Sequence, residues 1–186
     1  MEFKKQPFIP MLFGGDINTY SVARAFYEEY QVKTYVFGKF PSGPSYNSNI
    51  IEYHANLKID TDEVFMQTVR DFAAAHARQN RPYHRLRRSY VALCSRHKDE
   101  MPENVIAPYI DFELMDRLQQ KELFYRLCRE HDIDFPDTLV FRHGMDLDFE
   151  LPFSFPVILK PSNSVMYWEP NSRHRKKYTK LITTKN

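Results

Sequence analysis

Lys160 closes an apolar run, Phe155-Pro156-Val157-Ile158-Leu159-Lys160-Pro161, and is followed directly by Ser162, Asn163 and Ser164. The run reads as a buried strand delivering one lysine into a loop of small residues. An ammonium group placed after Val157-Ile158-Leu159 must either snorkel from the strand end or meet an anion. With hydroxyl and amide donors beside it, the chemistry that fits is the holding of a nucleotide's phosphates. Gly14-Gly15-Asp16 is a second candidate, although a diglycine by itself signals a tight turn as readily as a phosphate loop. The seven histidines show no His-Glu-x-x-His or other metal-ligand spacing. Neither a Ser/His/Asp nor a Cys/His set can be nominated, so no metal ligand and no catalytic nucleophile is assigned.

The elements that must position these residues follow from periodicity. Phe8 to Phe13 is an apolar run ending at the diglycine, and Asn18 and Thr19 are expected to cap a helix whose Val22, Ala23, Phe26, Tyr27 and Tyr30 share a face. Lys33 to Phe37 is the returning strand, which completes a βαβ unit. Gly38 to Asn49 reads as a loop and Ile50 to Tyr53 as a short strand. Asp60 or Thr61 should cap a second helix marked by Phe65, Val69, Phe72 and His76. Ser89 to Cys94 is expected as the next strand, with Val105-Ile106 a short one. This alternation implies an α/β fold with a parallel sheet wrapped by helices. From Asp111 the pattern changes. Phe112, Met115 and Leu118 suggest a short helix, and Lys121 to His131 a longer one with Leu123, Phe124, Leu127 and Cys128 inward. Pro136 then turns the chain into a strand over Thr138 to Phe141, because proline cannot continue the helix.

Composition narrows the class. At 186 residues and 42% hydrophobic, the chain can bury one core or one core and part of a second. A formal charge of +2 gives no general field for a polyanion, so nucleic acid is not expected as a partner. Cys94 and Cys128 are far apart and fit a reducing compartment better than a disulfide scaffold. No apolar run approaches a membrane span and the amino terminus lacks a signal-like core, so the expected location is the cytoplasm, with no membrane partner.

The ordered set Asp111-Phe112-Glu113-Leu114-Met115, Gln120 to Cys128, Phe135-Pro136-Asp137-Thr138 and Phe155 to Pro161 resembles the opening of an ATP-grasp domain. It is most similar to the carboxylate–amine ligases related to D-aspartate ligase. Residues 1–108, including Gly14, Gly15 and Asp16, resemble the Rossmann-like pre-ATP-grasp domain of those enzymes. Residues 109–170 would then begin an incomplete α+β ATP-grasp domain, and 171–186 form an atypical basic tail expected to be disordered. By this resemblance Lys121 and Lys160 contact the nucleotide triphosphate, and Ser162, Asn163 and Ser164 form the loop that covers it. That loop lacks the glycines common in the superfamily. Gly14-Gly15-Asp16 borders the substrate cleft. ATP and magnesium are the implied cofactors, with a small carboxylate and an amine as substrates. The family joins them through an acyl phosphate that the amine displaces. Its acidic magnesium ligands and catalytic arginine lie further along than any residue matched here, so the chain alone is not expected to turn over.

Two patches depart from the family pattern: Tyr83-His84-Arg85-Leu86-Arg87-Arg88, where an apolar strand and a Gly-containing turn should precede Ser89, and the tail from Asn171 to Asn186. One reading is a nucleic-acid-binding module using Arg85, Arg87, Arg88, Arg173, Arg175, Lys176 and Lys177. The other is a pair of reading-frame shifts. Degenerate codons for His84 to Arg88, read one base later, permit Ile-Gly-Cys-Gly-Asp. Those of the tail, read from the third base of Pro170, permit Thr-Gln-Lys-Lys-Val-Tyr-Lys-Ala. This reading makes the chain a truncated ligase, and the coding DNA tests it: codons that do not encode these peptides in the shifted frame exclude it.

Overall fold

Ile9–Phe13 form strand β1, and its side chains alternate between two cores. Met11 and Phe13 enter one core and Leu12 the other, so β1 is buried on both faces, as an inner strand of a parallel sheet must be. The computed structural model describes residues 2–41, 43–77, 82–86, 88–142, 144–146, 151–160 and 179–181, with the backbone alone for 82–86, 88, 89 and 179–181. Two compact units emerge, Met1–Phe112 and Glu113–Asn186.

The first unit continues with α1 (Ile17–Tyr30), β2 (Thr34–Gly38), a helical turn α2 (Gly43–Tyr46), β3 (Ile51–Ala55), α3 (Asp62–Ala75), β4 (Pro82–Leu86), α4 (Arg88–Arg96) and a 3-10 turn at Lys98–Glu100. The sheet order is β3-β2-β1-β4, all parallel. Met11 is in register with Tyr35 on one side and His84 on the other. On one face of the sheet Leu12, Val36 and Ile51 meet Ala23 of α1. On the other, Met11 and Phe13 meet Phe65, Met66, Val69 and Phe72 of α3 and Tyr90, Leu93 and Cys94 of α4. The result is the three-layer α/β architecture expected from the sequence. The Phe13 ring anchors it, with Phe65, Tyr90 and Phe37 at 4.7, 5.6 and 5.7 Å.

Several expectations are corrected. Ser89 to Cys94 lies in α4 and not in a strand. Tyr90, Leu93 and Cys94 are buried at helical spacing, and the strand occupies Pro82–Leu86 just before, hidden in the sequence by its basic residues. Asn18 and Thr19 do not cap α1. Asp16 does, accepting from the Thr19 amide at 3.1 Å and the Thr19 hydroxyl at 3.2 Å. Thr61 holds the cap position of α3, yet its hydroxyl donates to the Lys58 carbonyl at 2.9 Å, while Asp60 pairs with Lys39. Val105-Ile106 is reduced from a strand to a single β-bridge at Ile106, and Val105 packs against the α3–α4 core. The 38–49 loop contains the turn α2.

The second unit carries α5 (Phe112–Gln119, whose first residue closes the first unit), α6 (Lys121–Glu130), β5 (Val157–Leu159) and β6 (Thr179–Leu181). β5 and β6 pair antiparallel, with Val157 opposite Leu181. Thr138 to Phe141, expected as a strand, has no regular secondary structure and joins no sheet among the described residues. Phe124, expected inward, is 40% exposed, and Ile158 and Leu159 are each 58% exposed, so the lysine-bearing strand is not buried. A two-stranded ribbon covers little of its own surface. Thr179–Leu181 belongs to the tail expected to be disordered but is a strand; residues 171–178 and 182–186 lie outside the described residues. Among the described residues no helix is long and apolar enough to cross a membrane.

Candidate functional site

Lys121 and Lys160, far apart in sequence, line one cavity of about 450 Å³ within the second unit. Its walls are Lys121, Glu122 and Tyr125 from the start of α6, the segment 136–141, and Pro156 to Lys160 through β5. The segment after α6 can reach the cavity because the helix stops at Glu130, and Pro136 cannot continue it.

Positive groups reach the cavity from two sides. Lys121 is the first residue of α6, where backbone N–H groups lack intrahelical acceptors and the helix dipole is positive. Gln120, at the cap position, makes no side-chain cap, because its amide donates to Asp116 Oδ2 at 2.7 Å. Two carboxylates line the cavity, Glu122 and Asp137; Glu122 is engaged by arginines, its Oε1 accepting from Arg142 at 2.5 Å and lying 3.6 Å from Arg126. Lys160 is exposed just beyond β5 and forms no ion pair among the described residues. A helix N-terminus, two ammonium groups and a partly apolar wall together suit a ligand with a charged, oxygen-rich end.

The other sequence candidates fall elsewhere. Ser162, Asn163 and Ser164 lie outside the described residues, as do Arg87, Arg173, Arg175, Lys176 and Lys177; Arg85 and Arg88 are described by backbone alone, in β4 and α4. Gly14, Gly15 and Asp16 lie in the first unit, at the C-terminal end of β1. Gly14 takes a φ of 104°, which favours glycine, and its amide donates to the Phe37 carbonyl at 2.8 Å. A Cβ on Gly15 or Gly38 would collide with the Tyr53 hydroxyl, which donates to the Phe40 carbonyl at 2.7 Å. The glycines therefore admit the Tyr53 ring to the crevice at the strand ends, and burial raises its phenol above the usual range. The Asp16 carboxylate is engaged in capping α1.

Sequence reasoning missed Glu122, Tyr125, Arg126 and Arg129. Their spacing along α6 places them on one helical face and could have identified them. It also missed Tyr53, for which no local sequence signal exists.

A parallel sheet with helices on both faces makes the first unit an α/β domain of the kind the sequence implied. The chain is similar to D-aspartate ligase from Enterococcus faecium, at 37% identity over 181 residues. This covers 94% of the chain and 43% of the relative, so the chain spans less than half the length of that ligase. No protein-family model matches it.

Proposed function

We propose that the chain is the N-terminal portion of an ATP-dependent carboxylate–amine ligase of the ATP-grasp type, and that the cavity of the second unit receives the nucleotide. The observation carrying this reading is the convergence of Lys121 and Lys160, from separate segments, on one cavity at the uncapped start of α6. Two ammonium groups and the helix N-terminus offset the charge of a triphosphate before and during transfer. Similarity to a D-aspartate ligase supports D-aspartate as the carboxylate partner of the full reaction. In that reaction the carboxylate attacks the terminal phosphorus to give an acyl phosphate and ADP, and an amine then displaces phosphate to form the amide. Magnesium, when bound with the nucleotide, would supply further charge neutralisation. Its ligands and the catalytic arginine are assigned to no residue of this chain, and Gly14-Gly15-Asp16 is assigned to the substrate side. Because turnover needs those further groups, the test is binding. Calorimetric titration with magnesium-ATP should give saturable heat whose affinity Lys160→Ala lowers about tenfold or more; equal affinity in the variant rejects the reading.

A further inference from the structure

Beside the proposed nucleotide cavity lies a smaller one of about 200 Å³, sharing Glu122, Tyr125, Thr138 and Val140 with it and closed by Arg126, Arg129 and Phe135. Glu122, Tyr125, Arg126 and Arg129 follow one another at helical spacing, so one face of α6 supplies most of its charge. Arg129 sits over the Phe135 ring, 5.4 Å from its centroid, and Phe135 stacks on Tyr125 at 5.5 Å and 18°. A cation–π contact uses none of the guanidinium's N–H donors, and Arg129 forms no ion pair among the described residues. Arg126 has only the 3.6 Å approach to Glu122, which Arg142 already contacts at 2.5 Å. Two guanidiniums, Arg126 and Arg129, thus line the cavity with one carboxylate, Glu122, which Arg142 already contacts, leaving unbalanced positive charge. The Thr138 hydroxyl donates to the Pro136 carbonyl at 2.7 Å and adds no donor to the cavity.

We propose that this cavity is a separate oxyanion subsite, in which Arg129 and Arg126 grip a single phosphate or carboxylate group in competition with Glu122. Its volume suits one such group and a short substituent rather than a nucleoside triphosphate. The stacked Arg129 is pre-oriented, so little side-chain freedom is lost when its edge engages two oxygens. Neither Lys121 nor Lys160 is required.

Arginine side-chain N–H resonances of the isotopically labelled full chain report binding directly, with inorganic phosphate and succinate as separate probes. Saturable shifts of the Arg126 and Arg129 signals are expected with at least one probe, and which one identifies the group the site takes. Arg129→Gln should weaken binding about tenfold or more, and Arg129→Lys should also weaken it because the planar fork is lost. Glu122→Gln should tighten it, since the internal competitor is gone. Lys160→Ala should leave it unchanged, which separates failure of this subsite from failure of the nucleotide reading. Shifts matched by chloride at equal ionic strength, affinity indifferent to both Arg129 variants, or loss of binding in Lys160→Ala would each overturn the proposal.

Discussion

His97 Nε2 lies 2.6 Å from Asp62 Oδ1, so the residue following α4 is tied to the first turn of α3. Its other ring nitrogen, Nδ1, lies 2.8 Å from Glu100 Oε1. Ionised carboxylates only accept, so both contacts together call for the imidazolium. Burial of the ring opposes this charge, but the bonds to Asp62 and Glu100 outweigh it and raise the His97 pKa above its ordinary range. The bonds from His97 and then Arg96 hold the Asp62 carboxyl below the usual range. Arg96 contacts the same Oδ1 at 2.7 Å, and Arg70 faces Glu100 at 3.8 Å.

The two titrations bound a pH window. The Asp62 contribution is present above the ordinary carboxylate pKa and lost as pH falls through its depressed value. That of His97 is complete below the ordinary histidine pKa and lost as pH rises through its elevated value. His97→Ala should therefore lower the urea midpoint most between about pH 4 and 6.5, and progressively less as pH rises beyond that range. Half-exposure of Asp62 limits the charge-pair contribution to about 1 kcal/mol. A penalty as large at pH 9 as at pH 5.5 would show that His97 acts through packing alone.

Tyr53 makes two glycines distinguishable. Gly15→Ala and Gly38→Ala should each destabilise the first unit by about 1 to 3 kcal/mol, because the new methyl meets the Tyr53 hydroxyl where Phe40 holds it. Adding Tyr53→Phe should restore much of the loss at Gly15, where the next contacts are ring carbons at 3.2 Å. At Gly38 it should restore less, since the ring carbon at 2.9 Å and the Gly14 carbonyl at 3.1 Å remain. Thermal melts of the single and double variants check this, and equal rescue at both positions would contradict the geometry.

The sequence was most readable where local periodicity and burial agree. The apolar residues of α1 and α3 recur at helical spacing, and β1 ends at its diglycine, so these elements fall within a residue or two of expectation. β4 is legible only through the family pattern, which expects a strand before Ser89, because Tyr83-His84-Arg85 carries no strand pattern of its own; its place is fixed by pairing with β1, a long-range contact. The apolar Tyr90-Val91-Ala92-Leu93-Cys94 run suits a strand or a buried helix equally until its neighbours are known. Lys121 was legible only through family resemblance, since a lysine at a helix start is ordinarily solvated. The arginine face of α6 was legible in principle by spacing alone.

If Lys121 and Lys160 hold phosphates, they should discriminate by charge. Lys121→Ala and Lys160→Ala should each weaken magnesium-ATP binding about tenfold or more while leaving adenosine affinity unchanged. Parallel losses for ATP and adenosine would mean that the substitutions deform the cavity. Steeper salt dependence in the parent chain than in either variant is a second expected sign of direct charge pairing.

The two cysteines offer separate probes of the two units. Cys94 is fully buried, and burial pushes its thiol well above the ordinary range, although the Tyr109 contact opposes that shift. Cys128 is 3% exposed on α6. Every buried hydrophobic residue except Met115 and Cys128 belongs to the first unit, so among the described residues the second has little core to resist opening. Reaction with a thiol reagent in native buffer should label Cys128 about tenfold or more faster than Cys94, because opening free energy follows local burial. Denaturant should accelerate Cys94 steeply, as exposure there needs disruption of the Phe13–Phe65–Tyr90 core, and Cys128 more gently. Identical rates and identical denaturant slopes would mean instead that both thiols are released in one cooperative event.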